Sequence, residues 1–312
     1  MRLIAFDIFS YQVPLNIGMT RKGFIIRLAD ESGREGFGEI APLPGLSHET
    51  LEESLSFLKS LREKILKKEL SPTFFPPSVM FGMESAVSQL YSPLSQDLSF
   101  TTTRFFYDPK KATAMSGDVK IKLGASNLSE AISITKSFIE KGARLRIDLN
   151  RKWSLSQTKE FCRHFSPTEI LYIEEPVQYF MELEAFHEET GFSYAIDEHL
   201  LFHPLERIIK LKGLSHLIVK PSMHGGLDQC KAIQLAASGI ECVFGTSFET
   251  EIGLSHIVRI SSIINPGKIV AVDTYESHAY SLLKKPIAFR KGLIKKEYFN
   301  RMSIDYSKLV KL

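Results

Sequence analysis

The chain has 312 residues, a formal net charge of +3 and 44% hydrophobic content, enough for one large domain, a smaller one and a full core. So small a charge excess argues against a dedicated nucleic-acid binder, and no apolar stretch approaches the length of a membrane span. Met1-Arg2 leads straight into a strand pattern with no secretory signal, and Cys162, Cys230 and Cys242 lack metal-site spacing and read as buried thiols of a reducing compartment. A cytoplasmic protein with neither nucleic-acid nor membrane partner is expected. The sequence does not disclose its oligomeric state.

In chain order, residues 2–41 alternate in the manner of an antiparallel meander, with strands expected at Leu3–Tyr11, Gly23–Leu28 and Gly36–Ile40 and a turn at Asp30–Gly33. After the Pro/Gly loop of Ala41–Gly45, Ser47 is a plausible N-cap with Glu49 in the first turn. Leu51, Leu55, Leu58, Leu61 and Ile65 then mark one face of a helix over 48–67. Pro72, Pro76 and Pro77 interrupt it, and a second helix is expected at Ser78–Leu90. Strands followed by helices in separate blocks indicate an α+β unit, which we end at residue 92.

Beyond residue 93 the pattern changes to strand-helix alternation. It begins weakly at Leu98–Phe106 and runs through about eight strands to Ile269–Val272, with the last helix at Glu251–Ile264. Residues 93–285 are therefore expected to form an α/β barrel. The tail, 286–312, has no helical period and is expected to fold back on the 1–92 unit.

Five of the expected strands end in charged residues: Val119–Lys122, Leu145–Asp148, Leu171–Glu174, Tyr194–Asp197 and Leu217–Lys220. The steps between these ends are 26, 26, 23 and 23 residues, the length of one strand-helix repeat. Any single acid could be a helix cap or a solvated loop residue. In a barrel, however, C-terminal strand ends surround one cavity where catalytic groups collect. Three carboxylates crowded there need a cation, and oxygen ligands in that number suit Mg²⁺, with Mn²⁺ as a substitute.

Strand alternation puts Lys120 and Lys122 on the same face of their strand, as it does Arg146 and Asp148, and Tyr172 and Glu174. Glu174 is thus the expected ligand, and Glu175, facing the other way, a supporting partner of a lysine. Lys120 and Lys122 should lower each other's pKa, which favours a neutral amine as base. With Lys220 approaching from the other side, the arrangement suits proton abstraction α to the carboxylate of a small anionic substrate, through a metal-stabilised ene-diolate. Pairing of the lysines with the acids is compatible with this reading.

Lys120-Ile121-Lys122, Asp148-Leu149-Asn150, Ile173-Glu174-Glu175-Pro176, Asp197-Glu198 and Val219-Lys220-Pro221 together resemble the muconate-lactonizing branch of the enolase superfamily, over most of the chain. Within that branch, Gly38–Thr50, Arg146 and Thr246-Ser247-Phe248-Glu249 are most similar to the o-succinylbenzoate synthase family.

The resemblance implies a (β/α)7β TIM-like barrel with an N-terminal α+β capping domain, 1–92, completed by the tail. It implies Mg²⁺ on Asp148, Glu174 and Asp197, and dehydration of 2-succinyl-6-hydroxy-2,4-cyclohexadiene-1-carboxylate to o-succinylbenzoate in menaquinone biosynthesis. By the same resemblance Lys122 is the base and then the acid, and Lys220 stays a cation against the substrate ring. Lys120, Arg146, Asn150 and Ser247 would support or bind substrate. Leu15–Lys22 is a short link where relatives carry a longer closing loop. N-acylamino acid racemase, dipeptide epimerase and muconate cycloisomerase activities share the same residues and stay open as alternatives. A Schiff-base aldolase using Lys220 would leave the acids without a purpose, and a non-catalytic barrel would not need them intact. Gly225-Gly226 before a helix could bind an anion, although such a pair is commonly a turn.

Overall fold

The computed structural model describes residues 3–67, 74–108, 110, 113–289 and 292–312. Pro72 and the first two residues lie outside them. The chain packs as two compact units, one of Met1–Thr101, Lys220–Ala232 and Phe244–Leu312, the other of Thr102–Val219 and Ile233–Val243.

In the first unit, Leu3–Pro14, Thr20–Asp30 and Glu35–Ile40 form the antiparallel meander, longer at most ends than the alternation suggested. Phe6, Ile8, Phe24, Ile26, Leu28 and Ile40 make one apolar face with Leu58, Leu61, Val79, Ala86 and Leu90 of the helices Leu51–Lys67 and Pro77–Tyr91. Glycine permits the closest approach. A Cβ on Gly38 would lie 1.8 Å from the Gly82 carbonyl oxygen, and one on Gly36 2.0 Å from that of Ala86. Gln89 pairs with both main-chain groups of Phe37, as a neighbouring strand would.

The first helix does not start at Ser47. Thr50 and Glu53 form a reciprocal capping box, the Ser47 hydroxyl accepts from Leu43 N within the loop, and Glu49 accepts from Ser78 N at the start of the second helix. The link after the first strand is a tight turn. Leu15 N donates to Met19 O at 2.7 Å, Gly18 takes a φ of 81°, and Asn16 N donates to Ser277 O.

The tail joins this sheet through Val310–Lys311, paired with the first strand at Ser10 and Phe9. It also carries a short helix, Lys296–Asn300, where no helical period is visible because five residues are too few to show one. Gly225 and Gly226 both have positive φ, and the following helix receives an anion from within the chain, since both Glu84 carboxylate oxygens accept from Leu227 N.

In the second unit, Arg104–Phe106, Gly117–Lys122, Ala143–Asp148, Ile170–Glu174, Tyr194–Ile196 and Leu214–Val219 pair successively and in parallel. The helices between them start on local caps, Asn127 for Leu128–Glu140 and a Ser154/Gln157 capping box for Leu155–Cys162. The nine-stranded sheet continues through Glu241–Phe244 and Ile269–Val270 to Thr101–Thr102. This is the strand order of a TIM-like (β/α)7β barrel. The expected strand Leu98–Phe106 is in fact broken into Leu98–Ser99, Thr101–Thr102 and Arg104–Phe106, and the first of these pairs with Leu293–Ile294 instead. Cys162, Cys230 and Cys242 are buried, and burial pushes the Cys162 and Cys242 thiols up to about 12. No helix among the described residues is long and apolar enough to cross a membrane.

Candidate active site

Parallel register brings the charged strand ends of the second unit together. Lys122 is opposite Asp148, and Asp148 opposite Glu174; Glu174 pairs with Ala195, so Asp197 stands two residues further along the next strand end. Asp148 and Glu174 are 1% and 0% exposed, and Asp197 is buried as well.

Lys120, one alternation below Lys122, reaches both inner acids. Its Nζ lies 3.1 Å from Asp148 Oδ2 and 2.7 Å from Glu174 Oε2, and it donates to Glu174 Oε1 at 2.8 Å. Lys122 Nζ stands off at 4.0 Å from Asp148 Oδ2, with a quarter of its side chain exposed, and faces the Tyr107 ring at 5.0 Å.

Burial disfavours charge on Lys120, yet Asp148 and Glu174 outweigh it and lift its pKa well above the ordinary lysine value. Lys120 is therefore not depressed as expected, because Asp148 and Glu174 oxygens lie within 3.1 Å of its Nζ. Burial also opposes ionisation of Asp148, but Lys120 and Lys122 hold its carboxyl below the usual value. At Glu174, burial and then the Asp148 charge push the carboxyl well above its usual range, against the pull of Lys120. One close ammonium thus faces more carboxylate than it can balance, and Glu174 is the group left short. Among the described residues no three His, Cys, Asp or Glu side chains already stand at ion-ligating spacing. The donor set nonetheless fits a hard cation. Its oxygens already converge on a positive charge, the Lys120 ammonium, which stands 2.7 Å from Glu174 Oε2 and 3.1 Å from Asp148 Oδ2.

Glu175 faces away from this cluster, as strand alternation predicts, but its partner is a histidine and not a lysine. Its carboxylate accepts from Asp197 N at 2.8 Å and His199 N at 2.9 Å, and also contacts His199 Nδ1. It takes a φ of 48°, so the turn after the strand is strained and held by these bonds. Nothing in the sequence pattern singles out His199, since it follows the next strand and meets Glu175 only through the fold.

Arg146 is buried, and its Nη1 pairs with Asp118 Oδ1 at 2.8 Å while the guanidinium lies over the Tyr172 ring, so this side chain is occupied within the barrel wall. Asn150, at a φ of 48°, donates from its amide to Glu198 Oε1 at 3.2 Å, and its N–H reaches Asp148 Oδ1. His203 stacks on Phe180 with ring centroids 3.8 Å apart, a packing role. Lys220 directly follows the strand Leu214–Val219, and its carbonyl accepts from Met223 N and His224 N.

In the first unit, Ser247 is buried, its N–H donates to Glu249 Oε2 at 2.6 Å, and its hydroxyl finds no partner among the described residues. Two groups near it were missed from sequence, Arg21 and Glu39. The available signal was a carboxylate inside the otherwise apolar run Gly36-Phe37-Gly38-Glu39-Ile40, since a buried charge demands partners.

Comparison with known proteins gives the family and the fold. The family described as Enolase C-terminal domain-like matches residues 110–297, and the MenC N-terminal domain matches residues 3–90. Over 291 residues the chain is 30% identical to the o-succinylbenzoate synthase of Klebsiella pneumoniae (strain 342), covering 86% of this chain and 90% of that one. The o-succinylbenzoate synthase of Proteus mirabilis (strain HI4320) is 28% identical over 89% and 92% of the two chains. Among solved structures, the L-Ala-D/L-Glu epimerase from Bacillus subtilis superposes with a TM-score of 0.76 at 18% identity, covering 95% of this chain and 96% of that one. MenC from Desulfotalea psychrophila LSv54 superposes with a TM-score of 0.74 at 16% identity over 95% and 100%. At these identities the two superpositions speak for the fold.

Proposed function

Because the chain belongs to the o-succinylbenzoate synthase family of the enolase superfamily, we propose that it dehydrates 2-succinyl-6-hydroxy-2,4-cyclohexadiene-1-carboxylate to o-succinylbenzoate, as a hydro-lyase of menaquinone biosynthesis. The observation that carries the reading is the register of Lys122, Asp148 and Glu174 on adjacent strand ends, a base beside an acid pair that needs a cation. Asp148, Glu174 and Asp197 would hold Mg²⁺, or Mn²⁺ in its place. When bound, that ion supplies electrophilic stabilisation of the charge that builds on the substrate carboxylate.

The chain's own groups do the rest. Lys122 Nζ takes the proton α to the carboxylate and then delivers it to the departing hydroxyl on the same face. Its partial exposure leaves it open to substrate, whereas Lys120 is committed to the acids and holds them in place. Lys220 stays protonated as an electrostatic partner, a role that rests on its place after the Leu214–Val219 strand. Asn150 and Ser247 support substrate binding, and Arg146 orders the barrel wall through Asp118. We also propose residues 1–92 with 286–312 as the cap and 93–285 as the barrel; pairing of Val310–Lys311 with the first strand supports this division.

The test is ultraviolet detection of o-succinylbenzoate formed from the cyclohexadiene substrate, with Mg²⁺ and with chelator. Product that appears only with the metal is the expected result. Absence of product under both conditions would overturn the reading.

A further inference from the structure

Three main-chain carbonyls from two segments of the first unit meet on Arg21, which is 3% exposed. Its Nη1 donates to Pro42 O at 3.0 Å, its Nη2 to Ala41 O and its Nε to Phe248 O at 3.3 Å. One guanidinium therefore joins the loop that begins at Ala41 to the turn Thr246–Glu249. That turn is strained. Phe248 has a φ of 62°, a left-handed conformation that costs a non-glycine residue roughly 1–3 kcal/mol unless its surroundings impose it. The surroundings are present. His278 Nε2 also lies 3.2 Å from Phe248 O, Ser222 Oγ donates to Glu249 Oε1, and Ser247 N donates to Glu249 Oε2.

Glu39 fixes the far end of the same turn. Its carboxylate accepts from Thr250 N at 2.9 and 3.0 Å, from Thr250 Oγ1 at 2.6 Å and from Gly253 N at 3.0 Å. It caps the helix Glu251–Ile264, whose own N-cap residue, Thr250, makes no side-chain cap. Tyr11 OH completes its shell. Within this bonded cluster the Ser247 hydroxyl is a buried polar atom without a partner among the described residues.

We propose that Arg21 and Glu39 are positioning residues for substrate recognition, holding the Ala41–Ser47 loop and the Thr246–Thr250 turn in one fixed arrangement that presents the Ser247 hydroxyl to the substrate. The recognition wall is set before substrate arrives. The link Leu15–Met19 is likewise pinned, by Asn16 N to Ser277 O and by Ala279 N to Pro14 O. Three separate nitrogens of one planar fork serve these carbonyls, whereas the donors of a lysine ammonium at position 21 would all radiate from a single nitrogen. Glu39→Gln would turn an amide N–H₂ toward main-chain donors and lose acceptors there.

This inference rests on the synthase reading for its kinetic arm and stands alone for its structural arm. The experiment compares full-length Arg21→Lys and Glu39→Gln with wild type by amide hydrogen exchange, by dehydration kinetics and by Mn²⁺ affinity from electron paramagnetic resonance. We expect exchange at least ~10-fold faster over 41–47 and 246–250 in Arg21→Lys, and over 250–254 in Glu39→Gln, with distant segments unchanged. KM should rise roughly 10-fold or more, with kcat within about 3-fold of wild type and Mn²⁺ affinity retained. Unchanged exchange in these segments, or a fall in kcat with KM intact, would overturn the proposal. If Arg21→Lys fails to fold, Glu39→Gln decides. If wild type shows no dehydration, the functional reading falls and the exchange data decide the positioning role.

Discussion

Lys122 and Asp148 face one another in register across adjacent parallel strands, with Nζ 4.0 Å from Oδ2. That spacing keeps the lysine near the acid without a close ion pair, and Lys120 takes the close position between Asp148 and Glu174 instead. The two lysines of one strand thus divide the work, one ordering the carboxylates and one free to meet a proton.

We predict that Asp148→Asn, Glu174→Gln and Asp197→Asn each weaken Mg²⁺ binding by more than the ~10-fold that loss of an outer partner can cost. Glu175→Gln should weaken it less, because its oxygens serve Asp197 N and His199. Titration calorimetry on the four variants tests this. Loss of binding in Glu175→Gln alone would reverse the assignment.

A second prediction separates the synthase from the racemase and epimerase alternatives. Lys122→Ala should abolish dehydration while retaining metal, and Lys220→Ala should lose on the order of a few kcal/mol of transition-state stabilisation. In D₂O, NMR on single enantiomers of an N-succinylamino acid should show slow or no exchange by wild type. Fast exchange on both faces, with no dehydration, would favour the racemase.

The loop held by Arg21 should tune substrate choice without touching the metal. Leu43 is buried, and its main chain bonds Ser47 in both directions. Leu43→Ala and Leu46→Ala are expected to change KM or substrate preference and to leave Mg²⁺ affinity intact. A drop in affinity measured by calorimetry would count against this role.

Gly38→Ala tests the close seat of strand on helix. The added methyl would overlap the Gly82 carbonyl, so the strand and the helix Pro77–Tyr91 must separate. Overpacking of this kind costs about 3 kcal/mol, and the urea midpoint should fall with an unchanged slope. A midpoint equal to that of wild type would mean the contact relaxes freely.

Acid stability offers a fifth check. The hydroxyl and main chain of Ser32, with Arg34, hold the Asp30 carboxyl down to about 2, against the opposing effect of burial. A folded pKa below the unfolded value of roughly 3.9 means stability that is present above that pH and lost as pH falls through about 2. Asp30→Asn should therefore lower the thermal midpoint at neutral pH, and its difference from wild type should shrink as the solution is taken down toward that range. A constant difference across the acid range would show that the carboxylate charge is not the cause.

The barrel could be read from sequence because a parallel strand is a local run of apolar residues and a strand-helix repeat has a fixed length. The charged ends at 122, 148, 174, 197 and 220 therefore announced themselves by spacing alone. Alternation also told Glu174 from Glu175, since it needs no knowledge of neighbours. Tertiary structure decided what each charge touches. It gave Lys120 to the acids, Arg146 to Asp118 and Glu175 to His199, and it moved the helix start from Ser47 to Thr50. Arg21 and Phe248 are 227 residues apart, and no periodic pattern reaches that far. Their meeting depends on how sheets and helices pack, because a buried guanidinium takes whatever carbonyls the fold brings within its reach.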